Sequence, residues 1–322
     1  MTALTLGTLL ATAGRTGNIN HDGDFEGIGK MNPTVYNEST GEWQTLTTRN
    51  SYDPESFVFG GPGWTAIQSD YDGDGRADIA VYNRSTGMWK ISFSSTGYQA
   101  PVDFKFGGAG WVVVTGDYDG DNIADPTIYR EATGEWIIAL SSLYHAPIYG
   151  NLGGPEHTAV PGDYDGDGAS DPATYRRSDG LWTVLLSAHG YVGARCYVNT
   201  MSDARLVPSP ADYDGDRKTD PAVFAYGCGN SYGKEYVFCW YVTCSSVNYQ
   251  QGAPFRQLGR EDCQPSNADP APGDYDGDGM ADFGVSWPDN TAGGWRMWKS
   301  SRGYNSHSDA GWNGTGFRPV QR

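Results

Sequence analysis

The stretch Asp70-Tyr71-Asp72-Gly73-Asp74-Gly75-Arg76-Ala77-Asp78 decides how this chain folds, because it returns four more times. Asp117-Tyr-Asp-Gly-Asp-Asn, Asp163-Tyr-Asp-Gly-Asp-Gly, Asp212-Tyr-Asp-Gly-Asp-Arg and Asp274-Tyr-Asp-Gly-Asp-Gly open the other copies. Their first aspartates stand 47, 46, 49 and 62 residues apart. A weaker sixth copy is read upstream, over Asn18-Ile-Asn-His-Asp-Gly-Asp-Phe-Glu26. Self-similarity at such a period is the signature of a repeat architecture.

Each acidic stretch has the same sequel. A short β-type run ends in an aromatic, as in Ile79-Ala-Val-Tyr82 or Thr127-Ile-Tyr129. A Gly turn then leads into a Trp strand: Thr86-Gly-Met-Trp89, Thr133-Gly-Glu-Trp136, Asp179-Gly-Leu-Trp182. A second turn (Ser95-Thr-Gly-Tyr98, Ser301-Arg-Gly-Tyr304), a third strand, a corner such as Phe106-Gly-Gly-Ala-Gly110 and a fourth strand, Trp111-Val-Val-Val114, complete the unit. That is four strands per repeat with turn signals at strand-like spacing. Four strands are too wide for a solenoid rung, whereas radial repetition of four-stranded sheets gives a β-propeller with short, protected edges. The expected fold is all-β, one propeller of six blades over residues 1–322. The repeats run over about 18–69, 70–116, 117–162, 163–211, 212–273 and 274–322, with 1–17 adding a strand that completes or supplements the ring.

The acidic spacing carries specific chemistry. Positions 1, 3 and 5 place three carboxylates inside a tight loop, position 6 turns it, the position 7 carbonyl can coordinate and position 9 closes the cage. Oxygen-only ligation with flexible geometry suits Ca2+ better than Mg2+, and the absence of His and Cys from these loops disfavours zinc and copper. The five ligand sets are Asp70, Asp72, Asp74, Arg76 and Asp78; Asp117, Asp119, Asp121, Ile123 and Asp125; Asp163, Asp165, Asp167, Ala169 and Asp171; Asp212, Asp214, Asp216, Lys218 and Asp220; and Asp274, Asp276, Asp278, Met280 and Asp282. The first loop would use Asn18, Asn20, Asp22 and Glu26, with fewer charges and the weakest hold. About five Ca2+ ions are expected, with a sixth at that loop. The bland alternative, Asp/Gly turns between strands, needs one Asp or Asn per turn rather than four converging carboxylates.

Composition agrees. The formal charge is −17, and the five loops hold 20 of the 39 acidic residues, so one Ca2+ in each adds ten positive charges and leaves −7. The acidity disfavours nucleic acid and anionic membranes, and no apolar run is long enough to span a bilayer. The opening MTALTLGTLLATAG holds Ala11-Thr12-Ala13, which looks like a signal-peptidase site. It is short, however, and no Lys or Arg precedes its apolar part, which argues against a cleaved signal.

These residues resemble the FG-GAP/VCBS repeat family, known from integrin α head domains, bacterial surface proteins and some fungal lectins. The likeness rests on the acidic loops and on Phe59-Gly-Gly-Pro-Gly63 and Phe106-Gly-Gly-Ala-Gly110. It implies that each loop joins a blade's innermost strand to the next and holds Ca2+. It leaves function open, since such repeats bind proteins or sugars or act as spacers. The fifth copy departs from the pattern, being longer and without a clear Thr-Gly-x-Trp turn.

Catalytic signals are missing: the five histidines share no repeat position, and there is no His-Glu-x-x-His, no Gly-x-Ser-x-Gly and no phosphate-binding glycine loop. The leading expectation is a non-catalytic extracellular interaction or scaffold module that meets protein or glycan at a cell surface. A lectin is the alternative and an enzyme the third reading. Trp43, Trp89, Trp136 and Trp182 hold one repeat position, as core residues do, whereas Tyr98, Tyr144, Tyr191 and Tyr304 sit beside hairpin tips and are candidate sugar contacts. Cys196, Cys228, Cys239, Cys244 and Cys263 crowd the fifth repeat, which fits an oxidising compartment, two disulfides with one thiol left over, and an insertion around Tyr226–Tyr232. Asn37, Asn83 and Asn313 lie in glycosylation sequons, the first two read as exposed turns. Finally, Leu9–Thr16 and Phe317–Gln321 both look like the strand that precedes an acidic loop. Six blades need six such strands and the chain offers seven. One end is therefore surplus, and strand exchange into a filament is a possible use.

Overall fold

The computed structural model describes residues 23–198, 206–226, 238–247, 249, 255–258, 268–287, 294–304, 307–311 and 318–320. The fold is a six-bladed β-propeller: six antiparallel sheets of four strands each, with helix limited to 3₁₀ turns among the described residues. Blade 1 is β1 (Thr34–Asn37), β2 (Glu42–Leu46) and β3 (Pro54–Val58), joined by β24 (Arg318–Pro319). Blade 2 is β4 (Trp64–Ser69), β5 (Asp78–Asn83), β6 (Met88–Ser92) and β7 (Val102–Lys105). Blade 3 is β8 (Val112–Val113), β9 (Thr127–Arg130), β10 (Glu135–Leu140) and β11 (Ala146–Asn151). Blade 4 is β12 (His157–Ala159), β13 (Ala173–Arg176), β14 (Leu181–Leu185) and β15 (Ala194–Val198). Blade 5 is β16 (Val207–Pro208), β17 (Ala222–Tyr226), β18 (Phe238–Val242) and β19 (Phe255–Leu258). Blade 6 is β20 (Asp269–Pro270), β21 (Phe283–Trp287), β22 (Gly294–Trp298) and β23 (His307–Gly311).

Residues 118–121 and 129–266 cluster as one compact unit, and 19–117, 122–128 and 267–322 as another. In the first, Tyr164, Tyr175, Trp182, Val184 and Val223 share a core. In the second, Phe25, Tyr36, Trp43, Ile79 and Val81 form one cluster, and Val35, Leu46, Tyr275 and Trp295 another. The recurring Trp is core in every blade: Trp43, Trp89, Trp136, Trp182, Trp240 and Trp295 are all buried. It faces an aromatic across the second and third strands in Tyr36↔Trp43, Tyr82↔Trp89, Tyr175↔Trp182 and Phe224↔Trp240, whereas Trp295 faces Ser286. Truncating such a buried Trp to Ala costs about 3–5 kcal/mol.

The glycine corners have a physical reason. Trp43 and Trp89 donate their indole N–H to the carbonyls of Phe59 and Phe106, at 2.9 and 3.0 Å. The hydroxyls of Tyr36 and Tyr82 accept from the N–H of Gly61 and Gly108, at 2.8 and 2.9 Å. The backbone must therefore lie against the tyrosine, and a Cβ at Gly60 would stand 2.6 Å from Tyr36 Oη.

One expectation changes here. The C-terminal strand is not spare: β24 pairs with β1 (Val35↔Pro319, Tyr36↔Arg318) and takes in blade 1 the position that β4, β12 and β20 take in theirs. The remaining candidate, Leu9–Thr16, lies outside the described residues. The fifth repeat, for its part, is a full blade. Trp240 fills the Trp position although no Thr-Gly turn announces it, and the extra length between β17 and β18 lies in residues 227–237, outside the described residues.

Candidate metal centre

Each acidic stretch connects the first strand of a blade to the second, as between β4 and β5. Position 1 builds the loop. Asp70 Oδ1 accepts from Gly73 N–H and Oδ2 from Gly75 N–H, at 2.7 and 2.8 Å. Asp163 does the same with Gly166 and Gly168, Asp212 with Gly215 and Arg217, and Asp274 with Gly277 and Gly279. Asp117 accepts from Asn122 N–H. Position 6 is left-handed throughout, so Asn122 (φ 66°) and Arg217 (φ 69°) hold a conformation that glycine holds in the other copies.

Position 9 is the deepest group. Asp78, Asp125, Asp171, Asp220 and Asp282 are all fully buried. Asp78 accepts from Tyr71 N–H on one oxygen and Ser94 N–H on the other, at 2.8 and 2.7 Å. The same pair of donors serves Asp171, Asp220 and Asp282. These donors do not offset burial beside other carboxylates. Burial pushes Asp78, Asp220 and Asp282 up to about 7 and, with Asp165 adding repulsion, Asp171 up to about 8. Asp163 and Asp212 rise to about 6, again chiefly by burial. A carboxylate that resists ionisation this strongly lacks a compensating positive charge.

Positions 3 and 5 are held by a serine pair on the 3₁₀ turn that follows the Trp strand. Ser94 Oγ donates to Asp74 at 2.7 Å and Ser95 Oγ to Asp72. Ser141 and Ser142 serve Asp121 and Asp119, Ser245 and Ser246 serve Asp216 and Asp214, and Ser300 and Ser301 serve Asp278 and Asp276. These serines were missed in the sequence. The first one follows position 9 by 16 residues in three blades, at Ser94, Ser141 and Ser187, and that fixed offset was the available signal. At position 7, the N–H of Arg76, Ala169, Lys218 and Met280 donates to the position 5 carboxylate, which fixes that peptide. Arg76 also pairs its guanidinium with Asp74 at 2.7 Å.

A hard cation fits this donor set. Asp70, Asp72 and Asp78 offer oxygens that all lie within 4.8 Å of one another, as do Asp163, Asp165 and Asp171, and Asp212, Asp214 and Asp216. Ca2+ bonds of about 2.3–2.6 Å bring opposite ligands to that separation. Two further oxygens, Asp119 Oδ1 and Asp276 Oδ1, are buried with no hydrogen-bond partner, a costly arrangement that a cation relieves.

The first loop is a correction. It runs from Asp24 to Asn32, not from Asn18. Asp24 accepts from the N–H of Gly27 and Gly29 at 2.8 and 2.6 Å, as Asp70 does from Gly73 and Gly75, and Phe25 N–H donates to Asn32 as Tyr71 N–H does to Asp78. Glu26 is therefore position 3 rather than 9, position 5 is Ile28, and Asn18, Asn20 and Asp22 lie outside the described residues. Asp24 stands 46 residues before Asp70, in step with the other repeats. Substitution at three of the four acidic positions hid it. Glu26 is partly buried, but the N–H groups of Thr48 and Arg49, the Thr48 hydroxyl and the Asn32 amide hold it below the usual range.

Adjacent loops are stitched together. Position 8 N–H of one loop donates to the position 1 carbonyl of the loop before it. In one unit these are Met31 to Asp274, Ala77 to Asp24 and Ala124 to Asp70, at 2.7–2.8 Å. In the other it is Thr219 to Asp163, at 2.6 Å.

Other candidates move. Tyr98 and Tyr304 donate to the carbonyls of Ala77 and Ala281 at 3.0 Å, and buried Tyr191 donates to Tyr118 O, so these three brace loops rather than face solvent. Tyr144 is exposed, but it caps its 3₁₀ turn where Gly97 and Gly190 cap theirs, and His145 falls at the tyrosine position. Asn37 and Asn83 do share a repeat position. Asn37 is buried, not exposed, and both accept from the residues of their own hairpin turn. Asn313 lies outside the described residues. Cys244 is a buried free thiol within reach of Asp214 and Asp220, Cys239 is disulfide-bonded, and Cys228 and Cys263 lie outside the described residues, as does the Cys196 side chain.

No family model and no curated protein matches the chain. Among solved structures it is similar to an Agrocybe aegerita lectin, described as recognising non-reducing terminal N-acetylglucosamine. That match has 16% identity, 90% of this chain and 84% of the other covered, and a TM-score of 0.52. Apo AztD from Citrobacter koseri also matches, at 12% identity, with 90% and 96% covered and a TM-score of 0.41.

Proposed function

We propose that this protein is a non-catalytic extracellular interaction or scaffold module whose blades are locked by about five Ca2+ ions. The observation that carries this reading is the buried position 9 aspartate, repeated in five loops at the centre of converging carboxylates. Asp70, Asp72, Asp74 and Asp78, with the Arg76 carbonyl, would hold one ion, and the corresponding residues of the other four loops would hold the rest. When bound, the ion would supply positive charge beside the buried position 9 aspartate, which Arg76, paired with Asp74, does not reach. The chain's own residues do the remaining work: glycines turn the loop, serines orient carboxylates, and the N–H groups of Met31, Ala77, Ala124 and Thr219 each tie one loop to the loop before it. The resemblance to FG-GAP/VCBS repeats supports the same role, and the clustered cysteines support an oxidising compartment. Among the described residues no helix is long and apolar enough to cross a membrane.

A cation that binds only the folded state stabilises it by about 2.7 kcal/mol per site at a hundredfold excess over Kd. Two such sites move Tm by about 8 °C in a chain of this length. Thermal melts with Ca2+ and with excess EGTA test the reading: a large downward shift is expected in EGTA, and superimposed melts would sink it.

A second reading, a calcium-dependent lectin, draws on the fold shared with the Agrocybe aegerita lectin. Glycan-array binding decides between them. Capture of one sugar class in Ca2+ favours the lectin, and capture of none favours the scaffold.

A further inference from the structure

The serine pairs touch three carboxylates at once, and they differ between blades in a way the acidic residues do not. The first serine gives its N–H to position 9 and its hydroxyl to position 5. In blade 6, Ser300 N–H reaches Asp282 at 2.7 Å and Ser300 Oγ reaches Asp278 at 2.7 Å. The second serine gives its hydroxyl to one oxygen of position 3: Ser142 Oγ to Asp119 Oδ2, Ser246 Oγ to Asp214 Oδ2 and Ser301 Oγ to Asp276 Oδ2. In two of these three loops the other oxygen of the same carboxylate, Asp119 Oδ1 or Asp276 Oδ1, is the buried oxygen without a partner. In these two loops one oxygen is pinned by the hydroxyl and its twin is left without a protein partner.

Blade 4 breaks the pattern. Its pair is Ser187-Ala188, so Asp165 Oδ2 receives only the Ala188 N–H, at 3.3 Å, and no hydroxyl. The rest of the loop is unchanged: Ser187 still serves Asp171 and Asp167, and Asp163 still accepts from Gly166 and Gly168.

We infer that the second serine is the positioning residue that sets each loop's affinity for its cation, and that Ala188 makes the Asp163–Asp171 loop a weak site despite its full set of aspartates. This rests on the cation-binding reading above. The physical basis is preorganisation: a carboxylate fixed by a neighbouring hydroxyl loses less freedom on ligation, and loss of such outer partners lowers metal affinity by about 10–100-fold.

The test is a Ca2+ titration of the full chain followed by native mass spectrometry, which counts bound ions at each free concentration. Ala188 is exposed, so Ala188→Ser can be made without disturbing the core. It should move one binding step to about tenfold lower Ca2+. Ser301→Ala should move one step about tenfold or more the other way, and Ser301→Thr, which keeps the hydroxyl, should restore it. Loss of packing alone would not be rescued by that hydroxyl. Unchanged steps in Ala188→Ser and Ser301→Ala, with about five ions still bound, overturn the inference and leave the cation reading standing. A wild-type chain that binds no Ca2+ overturns both.

Discussion

The loop at Asp24–Asn32 and the loop at Asp70–Asp78 share a backbone and differ in charge. Both begin with an aspartate that accepts from the N–H groups three and five residues on, and both close with a side chain that accepts from the aromatic at position 2. In the first, Ile28 replaces the position 5 aspartate, Asn32 replaces position 9, and Glu26 is surrounded by donors that lower its pKa. In the second, Asp78 is buried and driven up to about 7. The same turn can thus be completed from within or left for a cation to complete. On the cation-binding reading proposed above, the Asp-Gly turn alone does not make a metal site; the unbalanced buried charge does.

The largest consequence is a pH effect confined to the metal-free protein. Asp78, Asp171, Asp220 and Asp282 have folded pKa values of about 7–8, against an ordinary carboxylate value near 4. Between those limits the folded state holds more protons than the unfolded chain, so stability falls as pH rises. In EGTA, Tm should drop steadily from pH 5 to pH 8. In saturating Ca2+ the ionised form is the bound form, and the drop should shrink or vanish. A metal-free Tm that is flat or rises over this range would show that these loops are balanced as the first one is.

Exchanging the loops comes next. Asp282→Asn should remove one bound ion and about 2.7 kcal/mol at a hundredfold excess of Ca2+, as read from calorimetric melts. Ile28→Asp combined with Asn32→Asp should give the first loop an acidic group at every ligand position and raise the ion count by one. Asp282→Asn with an unchanged ion count would place the metal elsewhere, and a double variant with no added ion would show that Glu26 cannot leave its donors.

The smallest effect concerns the turn itself. Arg217 holds φ 69° where Gly75 and Gly168 stand in their loops. Arg217→Gly should relieve about 1 kcal/mol of left-handed strain and raise Tm slightly in Ca2+ and EGTA alike. Lower stability in both would mean that the arginine side chain contributes more than its backbone costs.

The repeat made much of this legible in advance. Blade count, strand order, the Trp core and five of the six acidic loops follow from periodicity, because each is a pattern that recurs with its residues intact. What escaped was whatever lacked that property. The first loop kept Asp24, its glycines and its 46-residue step but lost the aspartates of positions 3, 5 and 9, so a search led by aspartate slid to Asn18. The serine pairs lie far along the chain from the carboxylates they hold and looked like ordinary turn residues. The tyrosines at Tyr98, Tyr191 and Tyr304 read as exposed because they follow a turn, yet a left-handed φ folds each back onto a loop carbonyl. Phe317–Gln321 read as a strand of the right kind, but local sequence did not show that it pairs with β1, which is nearly the whole chain away.

The central claim is that unbalanced buried carboxylates, and not the loop shape, mark the cation sites. Counting ions on the wild-type chain by native mass spectrometry in saturating Ca2+ tests it most directly. Five per chain, with the Asp24–Asn32 loop empty, is the predicted result. Six would show that shape suffices, and none would show that the aspartate loops are turns and nothing more.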